Sequence, residues 1–101
     1  MKFKELIYNN TSIKEENKII KILHKEGFHW LIDSETENAS IEIVNNTIIW
    51  NSGDFYSGHW HYGIWKDGNF YGIWENGIFV DGKFNGKFIS GIKSQSVKTK
   101  K

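Results

Sequence analysis

Apolar and polar positions along this chain change period twice. From Ile13 to Leu23 the isoleucines and leucines recur at helical spacing, while Lys14, Glu15, Lys18, Lys21 and Lys25 take the opposite side. The spacing predicts a helix over 13–26, started by Ser12 as cap with Glu15 reaching back to it, and stopped by Gly27. Residues 28–33 then alternate as a strand, and the polar run from Ser34 to Asn38 reads as a loop. Ile41–Val44 and Thr47–Trp50 flank Asn45-Asn46, whose tolerance of positive φ suits a two-residue hairpin.

From Trp50 onward the period is five. Aromatics stand at Trp50, Phe55, Trp60, Trp65, Phe70, Trp74, Phe79, Phe84 and Phe88, with four-residue steps at Phe70 to Trp74 and at Phe84 to Phe88. A glycine precedes each aromatic after the first by two, and most of these glycines follow Ser, Asp or Asn. If each such pair closes a hairpin, Asp67-Gly68 sets Trp65 opposite Phe70, and the rings share one face. The four-residue steps then read as single longer strands, since side chains four apart on a strand still share a face.

The fold class expected is α+β, mainly β: an N-terminal helix packed on an antiparallel β-repeat meander, with a short right-handed β-helix as the alternative. Residues 1–92 form one domain, divided into a helix-and-hairpin cap (1–49) and the aromatic/Gly repeat (50–92), followed by a disordered basic tail at 93–101. A 14-residue helix is about 21 Å long and nine strands about 4.8 Å apart span roughly 40 Å, so part of the ring ladder is expected to stay uncovered.

Composition narrows the function classes. Of the 101 residues 16% are aromatic, and the net charge of +1 lacks the basic excess of a general nucleic-acid binder. With 0 Cys there is no disulfide, thiolate metal site or cysteine nucleophile, and a cytoplasmic setting is expected. No stretch approaches the roughly 18 apolar residues of a membrane span. The Lys/Ile/Asn-rich composition suits an AT-rich genome and a small phage-encoded inhibitor or accessory protein.

Phe70-Tyr71-Gly72-Ile73-Trp74-Glu75-Asn76-Gly77 and Phe84-Asn85-Gly86-Lys87-Phe88-Ile89-Ser90-Gly91 resemble the MORN-repeat signature, aromatic-x-Gly-x-aromatic-x-x-Gly, over about a quarter of the chain. The resemblance implies a single-layer antiparallel sheet used as a scaffold or as a lipid- or protein-binding surface. The strict step from Trp50 to Trp65 also resembles pentapeptide-repeat β-helices, with Gly at the small inward position and the aromatic at the large one.

His59 and His61 share one strand face, but two imidazoles are too few for a metal site, and no metal or cofactor is expected. Ser52, Ser57, Asp54, Asp67, Glu75 and Asp81 mostly sit where turns need them, so no catalytic residue is expected and a hydrolase is the last of the readings. Rings that stack on a partner are the serious candidates. The binding surface is expected at Tyr56, His59, Trp60, His61, Tyr62, Trp65, Tyr71 and Trp74. Another protein is the expected partner, with self-association; the alternative is a nucleotide or saccharide stacked on Trp60, Trp65 or Trp74.

Overall fold

The structure is a computed structural model that describes residues 1–94. It is mainly β, with a short helix packed against the sheet. The elements are β1 (Phe3–Tyr8), β2 (Thr11–Ile13), α1 (Glu16–Lys25), α2 (His29–Ile32), β3 (Glu35–Val44) and β4 (Thr47–Ser57). Eight two-residue strands follow: β5 (His59–Trp60), β6 (Ile64–Trp65), β7 (Asn69–Phe70), β8 (Ile73–Trp74), β9 (Ile78–Phe79), β10 (Lys83–Phe84), β11 (Lys87–Phe88) and β12 (Ile92–Lys93).

The repeat strands pair in parallel, which is the β-helix alternative and not the antiparallel meander. Trp50 pairs with Trp65 and Phe55 with Phe70, fifteen residues on. Thereafter the offset is fourteen: Trp60 with Trp74, Trp65 with Phe79, Phe70 with Phe84, and Trp74 with Phe88. Three five-residue steps thus make one coil with three sides, and about three coils stack. The missing residue in each four-residue step shortens the coil from fifteen to fourteen.

The Ser/Asp/Asn-Gly pairs are corners of this coil, not hairpins. Asp67, Asn76 and Asp81 each accept a hydrogen bond from the amide of the glycine that follows, at 2.8, 2.9 and 2.8 Å. Gly68, Gly77 and Gly82 hold φ near +119, +118 and +113°, a conformation that costs an L-residue strain. A corner and a two-residue hairpin ask for the same residues, and that is why the local pattern read as hairpins. Gly72 and Gly86, on the four-residue steps, also turn corners between separate strands instead of lying within one longer strand.

Coiling turns the rings of the Trp/Phe ladder inward. Trp50, Phe55, Trp60, Trp65, Phe70, Trp74 and Phe79 are fully buried. The ladder is therefore wrapped around itself, and the expectation of an uncovered aromatic face is overturned. Along each side the rings stack, with Trp50–Trp65 centroids 4.6 Å apart at 7° and Phe55–Phe70 4.9 Å apart at 24°. Between sides they meet edge to face, as in Trp65–Phe70 at 5.4 Å and 86°. Each repeat tryptophan also needs a glycine one coil on: a Cβ built on Gly82 would lie 3.2 Å from Trp65 Nε1, and one on Gly68 3.2 Å from Trp50 Nε1.

The first coil is capped. β3 runs antiparallel to β4 through the Asn45-Asn46 hairpin, with φ of 50 and 61° as expected, and covers two sides. α2 packs on β5 and closes the third. β1 lies parallel to β3, and α1 packs on β1 and α2, so that Leu6, Ile19, Leu23 and Leu31 join the aromatic core as one cluster.

Several other expectations are corrected. Asn9 and Asn10, at φ 51 and 60°, close a hairpin that makes Thr11–Ile13 a strand on β1, so the helix begins at Glu16. Ser12 gives its hydroxyl to Glu5 and caps nothing, and the N-cap Glu15 makes no side-chain capping bond. Residues 28–33 form α2 and not a strand, because Gly27 reverses the chain at φ 87° and the carbonyl of Phe28 accepts from Leu31. The expected loop at 34–38 is mostly strand, β3 beginning at Glu35 with irregular register around Asn38. Ile92–Lys93 is a strand of the last coil, and the rest of the expected basic tail, residues 95–101, lies outside the described residues.

Candidate functional site

The coil divides the expected binding residues into two sets. Trp60, Trp65 and Trp74 are fully buried, stacked in the core and out of reach of any ligand. Their indole Nε1 atoms are buried without a hydrogen-bond partner, which marks these rings as packing groups. Tyr56, His59, His61, Tyr62 and Tyr71 are all on the outside, where Tyr56, Tyr62 and Tyr71 are 50, 43 and 44% exposed.

Register brings these outer residues together. Tyr56 and Tyr71 follow Phe55 and Phe70 on successive coils, and their rings stack at 5.9 Å and 16°. The Tyr56 hydroxyl donates to Asp54 at 3.2 Å, and the Asp54 charge pushes the phenol pKa up, helped by desolvation. Around the next corner, Glu75 sits one coil below His61 and reaches both histidines, 2.6 Å from His59 Nδ1 and 3.9 Å from His61 Nε2. The His61 ring stacks on Trp30 at 5.5 Å and 8°, and Tyr62 packs 5.8 Å from the same indole.

Two concavities flank this surface. A groove of about 390 Å³ runs over the corner made by Gly58, Gly72 and Gly86, with Tyr71 and Asn85 on one wall and His59, Ile73 and Lys87 on the other. The four-residue steps create it, since Gly72 has no room for a side chain: a Cβ there would lie 2.7 Å from both Gly58 O and Phe55 Cε1. The second, a cleft of about 470 Å³, lies between α2 and the repeat and takes in His29, Trp30, Asp33, Ser34 and His61. Both include Gly58 and His59.

No protein-family model, curated protein or solved structure matches this chain. The resemblance to repeat families therefore stands only at the level of a β-repeat solenoid.

The side chains expected in turns are used there or nearby. Asp67 and Asp81 hold their corner glycines, Asp54 accepts from Asn69 at 2.7 Å, and Ser57 donates to Glu35 at 2.9 Å. Among the described residues no group of three or more His, Cys, Asp or Glu side chains is placed to hold a metal ion. No helix among them is long and apolar enough to cross a membrane.

Sequence reasoning missed His29, Trp30 and Asp33 as cleft residues, because residues 28–33 were read as a strand with no place beside the repeat. Three of the four histidines, His29, His59 and His61, line one cleft, and His24 Nδ1 lies 3.1 Å from His29 Nδ1. Nothing local in the sequence signals that. The pairing of Glu75 with His61 is different: it follows from the fourteen-residue offset, once the repeat is read as a coil.

Proposed function

We propose that this chain is a non-enzymatic binding module that engages another protein through Tyr56, Tyr71, His59, His61 and Tyr62. The observation that carries the reading is the stacked Tyr56–Tyr71 pair on the exterior of a coil whose tryptophans and phenylalanines point inward. Half-exposed tyrosines offer large, rigid contact area with a polar tip, and such rings are enriched where interfaces concentrate their binding energy. The rest of the repeat is occupied in building the core and its corners, which argues against catalytic duty for those side chains.

The test is affinity capture from host lysate with the wild type beside a Tyr56→Ala, Tyr71→Ala variant of unchanged circular dichroism. Loss of a partner that the wild type retains supports the reading; equal recovery by both counts against it. The groove beside Tyr71 favours one second reading, a saccharide or nucleotide held against that ring. Its volume, about 390 Å³, falls in the range of small-ligand sites. Shifts of the Tyr71 ring resonances on titration with a saccharide and nucleotide panel would favour it, and unmoved resonances would dismiss it.

A further inference from the structure

The outward positions of the coil's first side form a column of isoleucines. Ile49, Ile64, Ile78 and Ile92 are successive register partners, each next to an inward residue, in turn Trp50, Trp65, Phe79 and Lys93. Ile49 and Ile64 are half-buried, Ile78 is 41% and Ile92 62% exposed, and Val80 beside them is 39% exposed. Three coil steps of about 4.8 Å make the stripe roughly 14 Å long, flat and aliphatic. The core does not need these side chains, since the inward column is complete without them.

Charge is distributed along the same axis. Residues 82–94 hold Lys83, Lys87 and Lys93 and no acidic side chain, whereas residues 1–81 hold all twelve acidic side chains and seven lysines. The overall charge of +1 hides a strong separation. On the second side it is visible in one column, where Glu37, Asp54, Asn69 and Lys83 are successive register partners. Lys87 lies on the last coil too, and Lys93, standing where an aromatic would continue the core, places its ammonium 4.8 and 4.6 Å from the Phe84 and Phe88 ring centroids. The lysines of the last described coil repel the same end of another molecule, a common guard against edge-to-edge joining.

We infer that the isoleucine stripe is an interface for a second copy of this chain, docked antiparallel about a two-fold axis. Stripe against stripe removes aliphatic surface from water on both copies. Two-fold antiparallel docking sets the lysine-bearing end of each beside the carboxylate-bearing end of the other, whereas parallel docking sets like charges together. The charge separation thus selects both the occupant and its orientation, and a two-fold contact closes the assembly at a dimer. The stripe lies on a different side from the Tyr/His surface and leaves that surface open to a partner.

The chain has no cysteine, so single thiols can be introduced cleanly. Ile49→Cys and Ile92→Cys proteins, given distinct mass labels, are mixed and treated with a short thiol-to-thiol cross-linker. The expected result is a several-fold excess of the mixed Ile49→Cys/Ile92→Cys product over either like-with-like product. An excess of the Ile92→Cys homodimer would overturn the antiparallel orientation. Sedimentation of the wild type is expected to show a concentration-dependent dimer that Ile78→Asp abolishes with its near-ultraviolet circular dichroism intact. A wild type that sediments as monomer at every concentration, or a folded Ile78→Asp protein that still dimerises, would overturn the interface.

Discussion

Replacing Trp65 by Ala separates a core role for the repeat rings from a ligand-stacking role. Trp65 is fully buried, stacked on Trp50 at 4.6 Å and on Phe79 at 5.6 Å, and edge-on to Phe55, Trp60, Phe70 and Trp74 at 5.4–6.5 Å. Truncating a buried Trp or Phe costs about 3 to 5 kcal/mol, depending on how far the surroundings collapse into the cavity. Here the neighbouring rings hang from strands held by the inter-coil ladder, such as Val80 N to Trp65 O at 2.7 Å, so collapse is limited and the cost belongs near the top of that range. A domain of this size is stable by about 5 to 15 kcal/mol, so the variant is expected to be marginal. Urea unfolding at 25 °C measures it, with Tyr71→Ala as the comparison. Tyr71 is 44% exposed and, among the described residues, stacks only on Tyr56, so its loss is expected to cost about 1 kcal/mol. A Trp65→Ala protein no less stable than Tyr71→Ala would refute the inward placement of the rings.

Two glycines at positive φ are expected to differ in their tolerance of alanine. Gly27, at φ 87°, has nothing within 4 Å of a built Cβ, so Gly27→Ala should cost only the backbone strain, about 1 to 2 kcal/mol. At Gly77, φ 118°, a Cβ would lie 2.9 Å from Gly63 N and 3.2 Å from Trp60 Nε1; Gly77→Ala should cost about 3 kcal/mol or more in the same urea assay. Equal costs would argue against close stacking of the corners. Asp54→Asn is expected to lower the pKa of Tyr56, because the carboxylate is the first cause of its rise; ultraviolet titration of the phenolate reads the shift, and an unchanged curve would break the proposed contact. Ser12→Ala is expected to raise the pKa of Glu5, held low chiefly by the Ser12 hydroxyl, as followed by NMR titration. Because that folded value lies below the unfolded one, the stabilisation is present above the unfolded pKa and fades as pH falls through the folded one.

Much of this molecule follows from local signals. The five-residue step, the corner residues Asp67, Asn76 and Asp81, and the Asn45-Asn46 hairpin each act within a few residues, and each serves the element or corner where it was read. What the step cannot say is where a strand finds its partner. A hairpin joins Trp65 to Phe70, five residues away, while a coil joins it to Phe79, fourteen away, and both use glycine at positive φ. The decision rests on volume: nine large rings fill the interior of a three-sided coil, and a single-layer meander would leave many of them in water. The two four-residue steps carried the answer, since they change the coil offset from fifteen to fourteen without moving a ring outward.

The N-terminal misreadings have a similar origin. Thr11-Ser12-Ile13 pairs with β1 through register partners Leu6 to Ile13, and that ladder outweighs the capping pattern of Ser12 and Glu15. Phe28 and Trp30 look like strand residues by alternation, but they pack as α2 over the third side of the coil, Trp30 lying 5.0 Å from Trp60. For the candidate site, Tyr56, His59, His61 and Tyr71 were legible as outward because each is next to an inward aromatic, and Tyr62 lies at the corner between Trp60 and Trp65. Trp60, Trp65 and Trp74 were assigned to the surface only because a flat sheet was assumed.

The direction of strand pairing in the repeat is the claim on which the rest depends, and nuclear Overhauser effects between backbone protons measure it directly. The parallel coil predicts contacts between Ile64 and Ile78, Asn69 and Lys83, and Ile73 and Lys87, all fourteen residues apart. Absence of these contacts, together with cross-turn contacts between Lys66 and Asn69 or Trp65 and Phe70 in an antiparallel pattern, would contradict it.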